Sequence, residues 1–484
     1  MSERGLQCRM VLSGVLLFLA MGGLSARLTY LHFRLLPNEC RPQTRDIRKT
    51  IQADRGNIFD CKGERNVLAL DVVAKDICAD PHIVVQSNRV ADVALWLSKK
   101  LDIPSNDLVT ILDKPERRFI YIKRYVMDDI IQPSDKRALP GVFTQDTLMR
   151  HYPHKSFMCH VLGFVNAEGI GSAGIEQSLE KYLKGSSGIV ESHINAKRQE
   201  MYWKRNRYIP ALQGASVTLT LDQNIQYITE KALEQAVADH RAKAGWIIVQ
   251  RVKTGEILGM ASTPGYDLNQ FRDATDEQKL NRAIGCNYEP GSTLKTAVIA
   301  AALNEGLITP ETTIDCENGL WLYKNRPLHE AHNGYGVITV AEILKKSSNI
   351  GTAKIGISLG DKRLHEYLRK FGLGDKLGIE LPGEEQGILH PVKRWYDISA
   401  SRISIGQGIS VTALQLLGAY CAIANDGRLM RPHVIKEVMR SDGSTLYQAQ
   451  PEVVSRPVSE KTAETMRRLL CGVTEEGGTG KKAC

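Results

Sequence analysis

The chain has 484 residues and 43% hydrophobic content, more than one ordinary core needs, so at least two domains are expected. Its 63 basic and 54 acidic residues leave a net charge of +9 that is spread along the chain; nothing here points to nucleic acid, and the excess suits an anionic membrane or wall surface. The ten cysteines form no C-x-x-C pair, which excludes a zinc ribbon or a thioredoxin-type site.

Residues 10–26 carry no charge, follow Arg4 and Arg9, and precede Arg27. At about 1.5 Å per residue this stretch reaches the lower limit for a membrane span, and residues 28–36 can extend its apolar face. It reads as a single transmembrane signal anchor over residues 10–30. Positive charge ahead of it predicts a cytoplasmic tail at residues 1–9 and export of the rest. Gly22, Gly23, Ser25 and Ala26 resemble the cleavage region of a signal peptide, which is the competing reading.

From residue 31 to 215, strand-like runs alternate with turns. Ala53-Asp54-Arg55-Gly56-Asn57-Ile58-Phe59-Asp60 followed by Lys62-Gly63 predicts a strand and a tight turn. A helical pattern covers Val90–Leu101. The composition shifts near residue 216, where Ser216-Val217-Thr218-Leu219-Thr220-Leu221 alternates as a strand and Asp222 is placed to cap a helix running to about residue 242. Apolar runs at 246–252 and 256–261, joined by Lys253-Thr254-Gly255, predict a hairpin in a sheet covered by helices. Helical stretches follow at 292–304, 339–346, 351–359, 362–371 and 412–424. A hairpin followed by a helical block predicts an α/β or α+β domain over residues 216–484, behind a mixed α/β domain at 31–215.

Pro290 and Gly291 break the chain ahead of Ser292-Thr293-Leu294-Lys295, so Ser292 is expected at a helix N-terminus with Lys295 one turn on and on the same face. A serine hydroxyl needs a base, and a partly buried lysine of depressed pKa can serve. The helix N-terminus also favours developing negative charge. The spacing alone is weak, because Ser178-Leu179-Glu180-Lys181 repeats it; that copy reads as the solvated face of a short helix. Ser347-Ser348-Asn349 adds a second element after a helix ending in Lys345-Lys346. A hydroxyl there can relay a proton and an amide can bind a peptide.

Ser-x-x-Lys followed by Ser-x-Asn belongs to the motif set of penicillin-binding proteins and class A β-lactamases, completed there by a Lys-Thr-Gly strand. On these motifs the chain resembles the class B penicillin-binding proteins, monofunctional peptidoglycan transpeptidases, and is most similar to their division-type branch. Further matches are Arg55-Gly56-Asn57-Ile58-Phe59-Asp60, Gly163-Phe164-Val165-Asn166, Gly174-Ile175-Glu176-Gln177, Thr254-Gly255-Glu256-Ile257-Leu258, and Ile405-Gly406-Gln407-Gly408 with Val411-Thr412. The resemblance implies a penicillin-binding-protein/β-lactamase-like α/β (α+β) transpeptidase domain, preceded by one transmembrane helix and an elongated mixed α/β pedestal or dimerisation domain. It implies single-pass placement in a bacterial inner membrane with the catalytic domain outside.

The resemblance also implies a reaction. Ser292 would attack the penultimate D-alanine carbonyl of a peptidoglycan stem peptide, with Lys295 as base, Ser347 as proton relay and Asn349 as partner of the substrate amide. β-Lactams would acylate the same serine, and a membrane glycosyltransferase and division proteins would be partners. No cofactor or metal is implied. A catalytically impaired division scaffold and a β-lactam sensor or hydrolase are the alternatives.

The chain departs from the family at the third motif. Its only Lys-Thr-Gly, residues 253–255, precedes Ser292 and matches the family's early hairpin, so it reads as a turn. The sequence stops at Gly477-Gly478-Thr479-Gly480-Lys481-Lys482-Ala483-Cys484, a segment that in relatives lies shortly before the motif; the expectation is a fragment, or a gene that ends early and loses activity. Gly169-Ile170-Gly171-Ser172-Ala173-Gly174 fits a dinucleotide fingerprint but matches the family's glycine turn. His151, His154, Cys159 and His160 fit no ligand spacing, and the histidines read as surface groups.

Overall fold

Ile58–Asp60, the strand expected before the Lys62-Gly63 turn, is the centre of a sheet built from distant parts of the chain. It pairs antiparallel with Gly63–Ala79 and parallel with Ser216–Leu219; the latter pairs antiparallel with Ile435–Met439, and that strand with Thr445–Gln448. The far half of Gly63–Ala79 carries Ile120–Val126 and Val142–His151 as antiparallel neighbours. This computed structural model describes residues 3–34, 45–127, 130–132, 135, 137–194, 201, 205–331 and 334–483. Cys40, Cys484 and the end of the expected apolar extension at residues 35–36 lie outside them.

The chain divides into two compact units, residues 1–53 with 186–212 and residues 54–185 with 213–484. The first holds the helix Glu3–Arg34, whose stretch Val11–Tyr30 has a mean hydropathy of 1.8 and no buried side chain. Its 20 residues span about 30 Å as a helix, the thickness of a bilayer core. The same unit holds an antiparallel sheet in the order Arg45–Ile51, Gly188–Ile194, Arg207–Ile209.

In the second unit the helix Val90–Leu101 forms as expected and, with Ser105–Leu112, covers a small separate core of Ile77, Leu97, Leu108 and Val142. A buried ion network joins four segments. Arg55 meets Glu176 at 2.6 Å and Glu180 at 2.6 Å, and Arg150 meets Glu176 at 2.7 Å and Asp71 at 3.2 Å. Charges this deeply buried persist only when paired, and removing one partner leaves the other uncompensated.

Two sequence expectations are corrected here. Ser178 and Lys181 are exposed, but Glu180 between them is not a solvated side chain, because it pairs with buried Arg55 and accepts the Gly171 N–H at 2.9 Å. His160 is not a surface group: it is buried, with Nε2 2.7 Å from the Gln278 carbonyl and Nδ1 3.4 Å from Cys159 Sγ.

Asp222 caps the helix Gln223–His240 by accepting the N–H groups of Asn224 and Ile225. That helix backs the hairpin Gly245–Gln250 and Ile257–Thr263. At the middle of the remaining helices lies Lys295–Asn304, with every residue from 295 to 302 buried. Alanines at 297, 300, 301 and 302 let Asn349–Leu359, Asp361–Lys370 and Glu460–Thr474 pack closely around it.

Candidate active site

The expected helix 292–304 opens instead as a 3₁₀ turn, Gly291–Leu294, before the α-helix starts at Lys295. Gly291 has φ +56°, which an L side chain rarely adopts, and its N–H donates to the Gly406 carbonyl at 3.1 Å. Gly406 has φ +78°, and a Cβ there would sit 2.1 Å from the Gly291 oxygen. Nearby, Gly408 N donates to Glu289 Oε1 at 2.8 Å, and Tyr288 and Val411 exchange backbone hydrogen bonds at 3.0 and 2.9 Å. Tyr420 donates its hydroxyl to the Thr293 carbonyl at 2.9 Å. The segment around Ile405-Gly406-Gln407-Gly408 thus fixes where Ser292 begins its turn. Gly406→Ala is expected to displace that turn and lower the melting temperature by several degrees. A melting temperature within about 1 °C of wild type would contradict this.

Ser292 is exposed, and its Oγ has no hydrogen-bond partner among the described residues. Lys295 is the opposite case, a lysine only 1% exposed. Its Nζ donates to the Ser347 carbonyl at 2.6 Å, to Ser347 Oγ at 3.0 Å and to Asn349 Oδ1 at 2.7 Å. The three ammonium donors are thereby matched. Burial pulls this lysine down to about 8, and the nearby Glu330 carboxylate acts in the opposite direction.

Local backbone rules explain why Ser347-Ser348-Asn349 can face the lysine. The helix Val340–Lys345 ends in a Schellman turn: Ser348 N donates to the Ile343 carbonyl at 2.9 Å, and Ser347 N to the Leu344 carbonyl at 3.1 Å. The residue after the cap must then be left-handed, and Ser347 has φ +55° where glycine is usual. Ser348 caps the next helix, Asn349–Leu359, by accepting Gly351 N at 3.0 Å. The middle serine therefore serves the backbone, and the flanking Ser347 and Asn349 both reach Lys295.

Sequence reasoning missed Glu330, which follows the strand Arg326–His329. Its carboxylate accepts Ser348 Oγ and Asn349 N, each at 2.6 Å, and Ile350 N at 3.2 Å. A lone acidic residue after a short strand carries no spacing signal, so only the three-dimensional arrangement reveals it. Lys253-Thr254-Gly255 lies at the hairpin turn as expected, with Gly255 at φ +86°; its bonds run to Arg251, Glu256 and His433.

The geometry is a buried lysine linked to a Ser-x-Asn junction, one turn from an exposed serine at a helix start. The penicillin binding protein transpeptidase domain family matches residues 245–483, and the penicillin-binding protein dimerisation domain family matches residues 50–219. The chain is 33% identical over 437 residues to the probable peptidoglycan D,D-transpeptidase PenA of Neisseria meningitidis, covering 89% of this chain and 72% of that protein. The chain belongs to the class B penicillin-binding proteins.

Other members agree. Peptidoglycan D,D-transpeptidase FtsI of Escherichia coli is 30% identical over 451 residues, covering 90% of this chain and 71% of FtsI. Penicillin binding protein 3 of Mycobacterium tuberculosis, solved in complex with aztreonam, superposes with a TM-score of 0.68 at 28% identity, covering 90% of this chain and 80% of that one. This class B penicillin-binding protein therefore has the family's transpeptidase fold, a dimerisation or pedestal domain ahead of it, and one apolar N-terminal helix. It is a penicillin-binding transpeptidase of peptidoglycan synthesis by family.

Proposed function

We propose that this chain is a D,D-transpeptidase that cross-links peptidoglycan through a Ser292 acyl-enzyme. The observation that carries the reading is the buried Lys295 ammonium, lowered to about 8 and held between Ser347 and Asn349. In its neutral form Lys295 takes the Ser292 proton, directly or through the Ser347 hydroxyl. Ser292 Oγ bonds to the penultimate D-alanine carbonyl carbon, the peptide C–N bond breaks, and the terminal D-alanine leaves as an amine carrying that proton. An amine from a neighbouring stem peptide then displaces Ser292, which regains its hydrogen. Asn349 is suited to hold the substrate amide. The Ser292 N–H lies in the first turn, where helix N–H groups lack intrahelical acceptors, and can face the developing oxyanion. A β-lactam follows the first half, its ring amide opening onto Ser292.

In this reading residues 1–9 are a cytoplasmic tail, 10–30 a membrane anchor, 31–215 the pedestal and 216–484 the transpeptidase domain, exported across the bacterial inner membrane. The similarity to the peptidoglycan D,D-transpeptidases FtsI and PenA supports the reaction; the division-type resemblance of the sequence motifs supports a role in division, alongside a membrane glycosyltransferase and division proteins.

The test is labelling of the full chain with a fluorescent penicillin, followed by peptide mapping across pH. The adduct is expected on Ser292. Because the base must be neutral, the rate should rise roughly tenfold per pH unit toward about 8 and level off above it. No adduct would favour a non-catalytic division scaffold, and rapid release of the adduct a β-lactam hydrolase.

A further inference from the structure

Asn349 is held at both ends of its side-chain amide. Its Oδ1 accepts Lys295 Nζ, and its Nδ2 donates to the His329 carbonyl at 2.9 Å. His329 immediately precedes Glu330, so one short segment grips the amide and, through the Glu330 carboxylate, the Ser348 hydroxyl and two backbone N–H groups behind it. A carboxylate at the first turn of Asn349–Leu359 also meets the positive end of that helix.

Other charges on the elements packed around Lys295–Asn304 are engaged elsewhere. Lys354, on the helix Asn349–Leu359, pairs with Glu317 at 2.6 Å. Lys346 pairs with Glu342 at 3.3 Å, and Lys345 faces Glu475 at 3.8 Å. On the helix Asp361–Lys370, Arg363 faces Glu305 at 3.5 Å, and on Glu460–Thr474, Arg467 pairs with Asp426 at 2.9 Å. The Cys316 thiol, pushed up by burial, lies 3.4 Å from Ser348 Oγ. Glu330 is the carboxylate whose charge acts on Lys295.

We propose that Glu330 is a positioning residue for acylation: its carboxylate holds the first turn that carries Asn349, and its charge favours the ammonium form of Lys295 that this turn grips. The proposal rests on the reading of Lys295 as the base of Ser292. The two roles separate experimentally, since hydrogen bonds govern the plateau rate and charge governs the position of the rising limb.

The test measures fluorescent-penicillin acylation of the full chain between about pH 6 and pH 10 for wild type, E330Q and E330D. Removing the negative charge lets Lys295 lose its proton more easily. E330Q should therefore move the limb to lower pH by about half a unit or more, and raise the share of its plateau reached at pH 7 about two- to threefold. E330D keeps the charge on a shorter stem, so its plateau should fall while its limb stays within about 0.2 unit of wild type. A limb unmoved in folded E330Q overturns the proposal, as does a limb displaced in E330D, which decides the matter if E330Q does not fold. A wild-type chain with no Ser292 adduct overturns the reading of Lys295 and this proposal together; a normal wild-type limb that E330Q leaves in place overturns the proposal alone.

Discussion

Ser292→Ala is expected to abolish covalent labelling by a fluorescent penicillin while shifting the melting temperature by no more than about 2 °C. Ser292 is exposed and its hydroxyl bonds to nothing among the described residues, so packing does not depend on it. Without Oγ there is no atom to form the ester. Labelling at wild-type intensity in this variant would move the nucleophile elsewhere and remove the basis of the mechanism. Circular dichroism on the same sample separates lost chemistry from a lost fold.

Lys295→Met should be the other severe loss, cutting acylation about 10²- to 10⁴-fold, the range spanned by positioned general bases. The residual rate should also lose the limb near pH 8. Stability should respond with a definite sign. The folded-state value of Lys295, about 8, lies below its ordinary 10.5, so charging it costs the wild type most below pH 8. The wild type should gain a few kcal/mol relative to the Met variant as the pH rises from about 8 to 10.5. Below that window two terms oppose: the variant loses the buried charge, and it leaves the Ser347 and Asn349 oxygens without a donor. Chemical denaturation of both proteins at pH 7 and pH 10 measures the difference; a gap that does not change would mean Lys295 titrates near its ordinary value.

Much of this was legible because local signals and tertiary packing agree. Asp222 announces its helix by capping chemistry, Lys253-Thr254-Gly255 announces a turn, and Val90–Leu101 carries a clean apolar stripe. Around Ser292 the breaker residues show that a helix starts, but not that the start is a 3₁₀ turn, because that form depends on Gly406 reaching Gly291 from more than a hundred residues away. Ser347 and Asn349 were found through the family pattern. Their joint reach toward Lys295 follows from a Schellman turn at a serine, which no propensity favours. Glu330 stayed hidden because its three partners come from a helix start nineteen or so residues further on. Glu180 and His160 were misjudged for the same reason, since polarity in the sequence does not reveal a buried partner such as Arg55.

The sheet that joins Ile58–Asp60, Ser216–Leu219 and Ile435–Met439 has a consequence for how the chain is made. Its neighbouring strands come from parts of the chain separated by well over a hundred residues, so closing it carries a high contact order and forms late. During vectorial synthesis Ser216–Leu219 emerges long before the strand that covers its second edge, and until then that edge is open to proteases and to other unfinished chains. The period of greatest vulnerability is therefore the interval in which residues 220–434 are being delivered.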